Sequence, residues 1–158
     1  MTGVPADSGN FADPGNLPSE LVSIDHWVLW KYGPQDKKGK RPKIPHGPDW
    51  HRADPTDSKN WVDHKTAVSL YNDKAGFFDG IGFSVSDTDP FVGIDLDHCL
   101  FGTKPNEWAS SILDRFKDSY EEVTPSGDGL RIWVMGKPPG NIPVACVDGH
   151  TFEMYYHK

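Results

Sequence analysis

The chain has 158 residues with a net charge of -7, and 36% of them are hydrophobic and 12% aromatic. That is enough for one domain with a real core, and it excludes a disordered chain. It also excludes a protein that coats nucleic acid by bulk positive charge, so any such contact has to come from a local basic patch.

No apolar run approaches the roughly 20 residues that span a bilayer. The N-terminus has no basic start followed by an apolar stretch, so it does not read as a secretory signal. Two cysteines, Cys99 and Cys146, make no disulfide framework. The expectation is a soluble, cytoplasmic protein without a membrane partner.

Residues 1–20 are rich in Pro, Gly, Asn, Asp and Ser and read as a mobile arm. His26-Trp27-Val28-Leu29-Trp30-Lys31 is aromatic and β-branched, which predicts a strand. A loop broken by Gly and Pro follows. It carries Lys37, Lys38, Lys40, Arg41 and Lys43, a basic patch that would suit nucleic acid or phosphate but equally a solvated hairpin tip. Residues 57–72 read as a helix capped by Asp57 or Ser58, with Trp61, Val68 and Tyr71 on one face. A boundary near residue 78 then divides an N-terminal α/β lobe (21–78) from a sheet (79–158).

In that second part, 80–85 and 90–97 read as strands and 107–120 as a helix with Asn106 as its cap. Further strands are expected at Tyr120-Glu121-Glu122-Val123, at 129–136 and at 151–156, with a loop between the last two. The fold class is α+β, with the helices on one face of the sheet.

Alternation sorts the side chains of these strands. In Val92-Gly93-Ile94-Asp95-Leu96-Asp97, Ile94 and Leu96 take one face and Asp95 and Asp97 the other. Carboxylates two residues apart, about 7 Å along a strand, suit Mg²⁺ or Mn²⁺, hard ions that leave positions for phosphate. A strand end with solvated acids would look the same. Arg131 lies opposite Leu130, Ile132 and Val134, and Glu153 lies opposite Phe152 and Met154. If the three strands are neighbours, three carboxylates and a guanidinium share one surface, and a cation is expected there.

Thr124-Pro125-Ser126-Gly127-Asp128-Gly129 has the residues of a tight turn. Gly127 and Gly129 also let backbone N–H groups approach a phosphate, Ser126 adds a hydroxyl, and Arg131 can grip phosphate bidentately. His98, Cys99, Cys146 and His150 are soft ligands, but a zinc site needs all four to converge. A buried Cys99 is the plainer reading.

Three motifs together, Asp95-Leu96-Asp97, Ser126-Gly127-Asp128-Gly129-Leu130-Arg131 and Phe152-Glu153-Met154-Tyr155, resemble the bifunctional primase–polymerase N-terminal domains of the archaeo-eukaryotic primase superfamily. Trp27-Val28-Leu29-Trp30, Lys43-Ile44-Pro45, the segment around Trp61 and Asp79-Gly80-Ile81-Gly82-Phe83 agree in order and spacing, so the resemblance covers residues 24–156. It implies a catalytic sheet similar to an RNA-recognition motif, packed with the N-terminal lobe. It also implies that Asp95, Asp97 and Glu153 are catalytic metal ligands for Mg²⁺ or Mn²⁺. Ser126, Gly127, Gly129 and Arg131 would contact the incoming triphosphate, and Lys37, Lys38, Lys40, Arg41 and Lys43 would hold template or triphosphate.

The implied reaction is phosphodiester synthesis from nucleoside triphosphates on a single-stranded DNA template, in the replication of a phage, plasmid or other mobile element, with a helicase as a further partner. The family often has His where Arg131 stands, and it continues beyond the third motif with a strand and a Thr-Gly segment. A fragment, a subunit completed by a partner segment, or a relative kept for binding are the readings of that ending. The alternatives to a polymerase are a catalytically silent replication module and, behind it, a metal-dependent nuclease or phosphohydrolase.

Overall fold

The computed structural model describes residues 17–137, 144–147 and 150–156, with no side-chain description at 144–147 and 151. The expected arm at 1–20 therefore lies outside the described residues except at its end, where a single helical turn, α1 (Ser19–Val22), begins. The chain divides into two compact units between Ser84 and Val85.

The first unit holds a three-stranded antiparallel sheet of β1 (Trp27–Tyr32), β2 (Lys43–His46) and β3 (Gly80–Phe83), in the order β2-β1-β3. The division falls after β3 rather than near 78, because β3 pairs with β1 and belongs to this sheet. Four consecutive residues of β1, Trp27 to Trp30, are buried, as their size and apolarity require. Gly80 is set by close approach. A Cβ there would stand 2.7 Å from the Trp30 ring, whose indole N–H donates to the Ile81 carbonyl at 3.0 Å.

The helix expected over 57–72 is divided in two. Asp57 caps a 3-10 turn at Ser58–Asn60, Trp61 and Val62 are extended, and α2 (His64–Asp73) begins afresh with Asp63 as its cap. The break has a physical cause. Val62 and Trp27 exchange both backbone hydrogen bonds at 3.0 Å, which ties a β-branched residue to the start of β1 and removes it from any helix. Asp63 then accepts from the Thr66 N–H at 2.9 Å and restarts the helix. Ala67 of α2 is fully buried, and His64 meets the Trp27 ring edge-on at 4.6 Å.

The second unit is built on β4 (Phe91–Leu96), β7 (Tyr120–Val123), β8 (Leu130–Met135), β9 (Val144–Val147) and β10 (His150–Tyr155). A two-residue hairpin, β5 (Leu100–Phe101) and β6 (Lys104–Pro105), and the helix α3 (Glu107–Leu113) connect β4 to β7. The sheet runs β7-β8-β4-β10-β9 with every pair antiparallel, so the first strand of the unit becomes its centre. This mixture of helices and antiparallel sheets is the α+β class, and the central first strand suits an arrangement like that of an RNA-recognition motif.

Asn106 caps α3 as expected, accepting the Ala109 N–H at 3.1 Å. The helix stops at Leu113, not 120, and successive turns from Leu113 to Phe116 and from Phe116 to Ser119 deliver the chain to β7.

One face of the sheet packs against α3. Val92, Ile94, Leu96, Leu130 and Ile132 form its core with Ala109, and Trp108, Ile112, Phe116, Phe152 and Met154 close around them. Leu96 and Ile132 are completely buried, each contributing about 1.5–3 kcal/mol by removal from water. The strand β9 had no counterpart among the expected elements. Its pairing makes β10 an interior strand. Among the described residues, no helix is long and apolar enough to cross a membrane.

Candidate active site

The other face of this sheet gathers the polar residues, and the pairing register lines them up. Glu122, Arg131, Asp95 and Glu153 are successive cross-strand partners on β7, β8, β4 and β10. Tyr120, Trp133, Gly93 and Tyr155 form the next row. The condition attached to the alternation argument is thus met for three of its residues. Asp95, Arg131 and Glu153 do stand on neighbouring strands, and each is one residue from an apolar side chain that feeds the core.

Asp95 is only 7% exposed, so its charge needs a partner. Arg131 supplies it through a two-pronged contact. Nε donates to Oδ1 at 2.5 Å and Nη2 to Oδ2 at 2.8 Å. Burial works against the guanidinium charge, yet the hydrogen bonds and charge of Asp95, with Glu122 and Tyr155 adding, hold the Arg131 pKa above its usual value. The guanidinium carbon lies 5.8 Å from the Trp133 ring centre and 5.7 Å from that of Tyr155.

Burial pushes the Glu122 carboxyl up, against the opposing pull of Arg131 and of the Trp133 indole N–H, which donates to it at 3.2 Å. Glu153 accepts from the Tyr155 hydroxyl at 2.6 Å, and burial together with that bond raises the Tyr155 pKa.

Asp97 is placed differently from the expectation. The strand ends at Leu96, Asp97 sits exposed in the following turn, and His98 beyond it has φ +50°. Strand alternation therefore no longer dictates that Asp97 faces the same way as Asp95. Of the four candidate zinc ligands, the Cys146 side chain lies outside the described residues, and Cys99 is fully buried with its S–H directed to the Leu96 carbonyl, burial raising its pKa to about 11. His98 pairs with Asp128 at 2.5 Å, while His150 stacks on Trp108.

The turn at 124–129 is closed on itself. The Gly127 N–H, expected to be available to a phosphate, donates to the Thr124 carbonyl at 2.8 Å, and the Ser126 hydroxyl meets that of Thr124 at 2.9 Å. Gly127 has φ +80°, and a Cβ on Gly129 would stand 2.9 Å from the Leu96 carbonyl oxygen. Both glycines are therefore required by the turn itself. Ser126 remains exposed at its tip.

Lys37, Lys38, Lys40 and Arg41 are exposed on the connection between β1 and β2, and Lys43 is exposed at the start of β2, in the first unit. The Asp36 carboxylate organises that tip by accepting the N–H groups of Lys38 and Lys40, both at 2.8 Å. Arg41 lies over the Tyr32 ring and Lys43 over that of Trp30, at 4.9 and 5.3 Å.

A divalent ion can be tested against the residues present. Asp95, Asp97 and Glu153 are oxygen donors of the kind that Mg²⁺ and Mn²⁺ take. Both oxygens of Asp95 are nevertheless engaged by Arg131, and among the described residues no group of three or more His, Cys, Asp or Glu is drawn together tightly enough to hold a metal ion. The donor chemistry fits, and the arrangement is that of a site whose central carboxylate is held by an arginine.

No family model matches the chain. In an alignment of 144 positions that covers 85% of the chain, it is 39% identical to a DNA primase-polymerase of Nitratiruptor phage NrS-1. The chain is a primase–polymerase-type domain. It spans 18% of the length of that phage protein.

Sequence reasoning passed over three residues of the polar face of this primase–polymerase-type domain: Glu122, Trp133 and Tyr155. Trp133 and Tyr155 follow Arg131 and Glu153 by two positions, so the same alternation identifies them. Glu122 is hidden because Glu121 precedes it, and either could be the outward residue until the register is known.

Proposed function

We propose that this domain is a metal-dependent nucleotidyltransferase that joins nucleoside triphosphates on a single-stranded DNA template during replication of a mobile element. The observation that carries the reading is the register that sets Asp95 beside both Glu153 and Arg131 on one polar face. The likeness to a phage DNA primase-polymerase supports it.

In this reading Asp95, Asp97 and Glu153 hold Mg²⁺ or Mn²⁺, which supplies charge neutralisation at the triphosphate and a more acidic 3′ hydroxyl. Arg131 binds phosphate oxygens through the planar fork it now offers to Asp95. Trp133 and Tyr155 flank that fork and fix its plane. The exposed Ser126 hydroxyl, five residues before Arg131 at the tip of the 124–129 turn, gives the triphosphate a second donor. Lys37, Lys38, Lys40, Arg41 and Lys43 contact template or phosphate by charge.

A second reading has an observation of its own. The closed Asp95–Arg131 pair, with no gathered metal-binding group among the described residues, is what a catalytically silent replication module would retain for stability.

Primed and unprimed single-stranded templates with labelled nucleotides and Mn²⁺ or Mg²⁺ separate the two. Extension that disappears in Asp95→Ala and in Glu153→Ala is the expected result. Absence of extension, with no metal and no triphosphate binding by calorimetry, overturns the proposal in favour of the binding module.

A further inference from the structure

The first unit leaves two large aromatic rings partly exposed. Trp50 is 42% and Phe77 43% exposed. Each carries a lysine ammonium over its ring, Lys74 on Trp50 and Lys31 on Phe77, both at 4.0 Å from the ring centre. The two pairs are joined, since the Phe77 N–H donates to the Lys74 carbonyl at 2.8 Å. They form one aromatic and basic patch, separate in sequence from the basic tip at 37–43.

The backbone makes Trp50 the more telling of the two. It sits in a tight turn in which its N–H donates to the Gly47 carbonyl and the Gly47 N–H to that of His51, each at 3.0 Å. Its φ is +67°, a left-handed conformation that glycine or asparagine adopts cheaply and a bulky residue does not. The turn thus holds the largest side chain where the smallest would be most stable, and then exposes it to water. The neighbouring acid, Asp49, is exposed, and it accepts the His51 N–H at 3.1 Å with the His51 ring 3.4 Å away.

Exposed rings with ammonium groups fixed beside them suit one kind of partner. A nucleobase stacks on an aromatic face whatever its identity, and the adjacent cation neutralises the phosphate that follows. A duplex hides its base faces, so the match is to a single strand. We propose that Trp50 and Phe77, with Lys74 and Lys31, are a stacking platform for single-stranded nucleic acid. The inference extends the proposed function by giving the template a foothold in the first unit, and it does not depend on catalysis.

The test is the fluorescence anisotropy of a fluorescein-labelled 20-residue oligothymidylate, without nucleotide or divalent ion. Trp50→Gly removes the ring while relieving the backbone, so a retained melting temperature verifies its fold. It should weaken binding about tenfold, as should Phe77→Ala, and Trp50→Phe should bind more tightly than Trp50→Gly. Lys74→Gln should weaken binding less and flatten its salt dependence.

Wild-type affinity in folded Trp50→Gly and Phe77→Ala overturns the platform. So does equal affinity of the wild type for a duplex of the same length, or no binding of the oligonucleotide at all, which would leave the patch to a protein partner. Primer extension is read separately. If the wild type neither extends a primer nor binds metal or triphosphate while Trp50→Gly still loses oligothymidylate, the platform stands and the polymerase reading falls.

Discussion

Asp95 and Arg131 face each other across β4 and β8 at paired positions, and the guanidinium holds both carboxylate oxygens, at 2.5 and 2.8 Å. A carboxylate so far removed from water needs that partner. Arg131→Gln should therefore destabilise the domain by about 3 kcal/mol. Asp95→Asn in the same chain should recover part of the loss, because the orphaned charge is gone. Urea unfolding of the four proteins of this double-mutant cycle measures the coupling, expected above about 1 kcal/mol. Additive losses would show that the pair contributes nothing as a pair.

The glycines of the 124–129 turn differ in the reason each is needed. At Gly129 a Cβ would press on the Leu96 carbonyl oxygen and Thr124 Oγ1, at 2.9 and 2.8 Å, whereas at Gly127 it meets nothing within 4 Å and only φ +80° resists. Gly129→Ala should cost about 1–3 kcal/mol, and Gly127→Ala about 1 kcal/mol. Gly127→Asn should cost less, since Asn tolerates the left-handed region. Denaturant midpoints rank the three.

Stability should fall with acid through His64. Its ring is 4% exposed against Trp27, and burial lowers its pKa below the ordinary value of 6.5. Between the lowered folded value and 6.5 the unfolded chain binds the proton and the folded chain does not, so stability declines as pH drops through that window. Thermal unfolding from pH 8 to pH 5 should show a smaller decline in His64→Leu than in wild type. Equal declines would place the acid sensitivity elsewhere.

Cys99 should be nearly inert in the folded protein. The thiol is fully buried and its pKa is raised to about 11, and the thiolate is the reactive form. In a Cys146→Ser background at pH 8, labelling by a disulfide reagent should be at least about 100-fold slower than in urea. Comparable rates would mean that β4 and the turn after it open readily.

Much of the second unit was legible because its strands carry a period of two. Leu130, Ile132 and Val134 alternate with Arg131 and Trp133, and Phe152 and Met154 with Glu153 and Tyr155, so the two faces could be separated without knowing which strands meet. Residues 57–72 misled for an equally definite reason. Their apolar spacing suits a helix, but a backbone pair between Val62 and Trp27, 35 positions apart, extends the chain in the middle. The Pro- and Gly-containing stretch before β10 gave no sign of β9, whose four residues have too short a pattern to read by themselves.

The sequence by itself determined the composition of the polar face: Asp95, Arg131 and Glu153 had to lie opposite the apolar residues beside them, because burying Ile94, Ile132 and Met154 leaves them no other side. It also placed the caps at Asn106 and Asp57, since capping depends on groups two or three residues away. Only the tertiary structure decided that β4 lies between β8 and β10, that Asp95 is held by Arg131, and that Asp97 falls beyond the last paired residue. Those outcomes depend on register between strands distant in the chain, and register is fixed by the packing of the whole sheet on α3 rather than by any one strand.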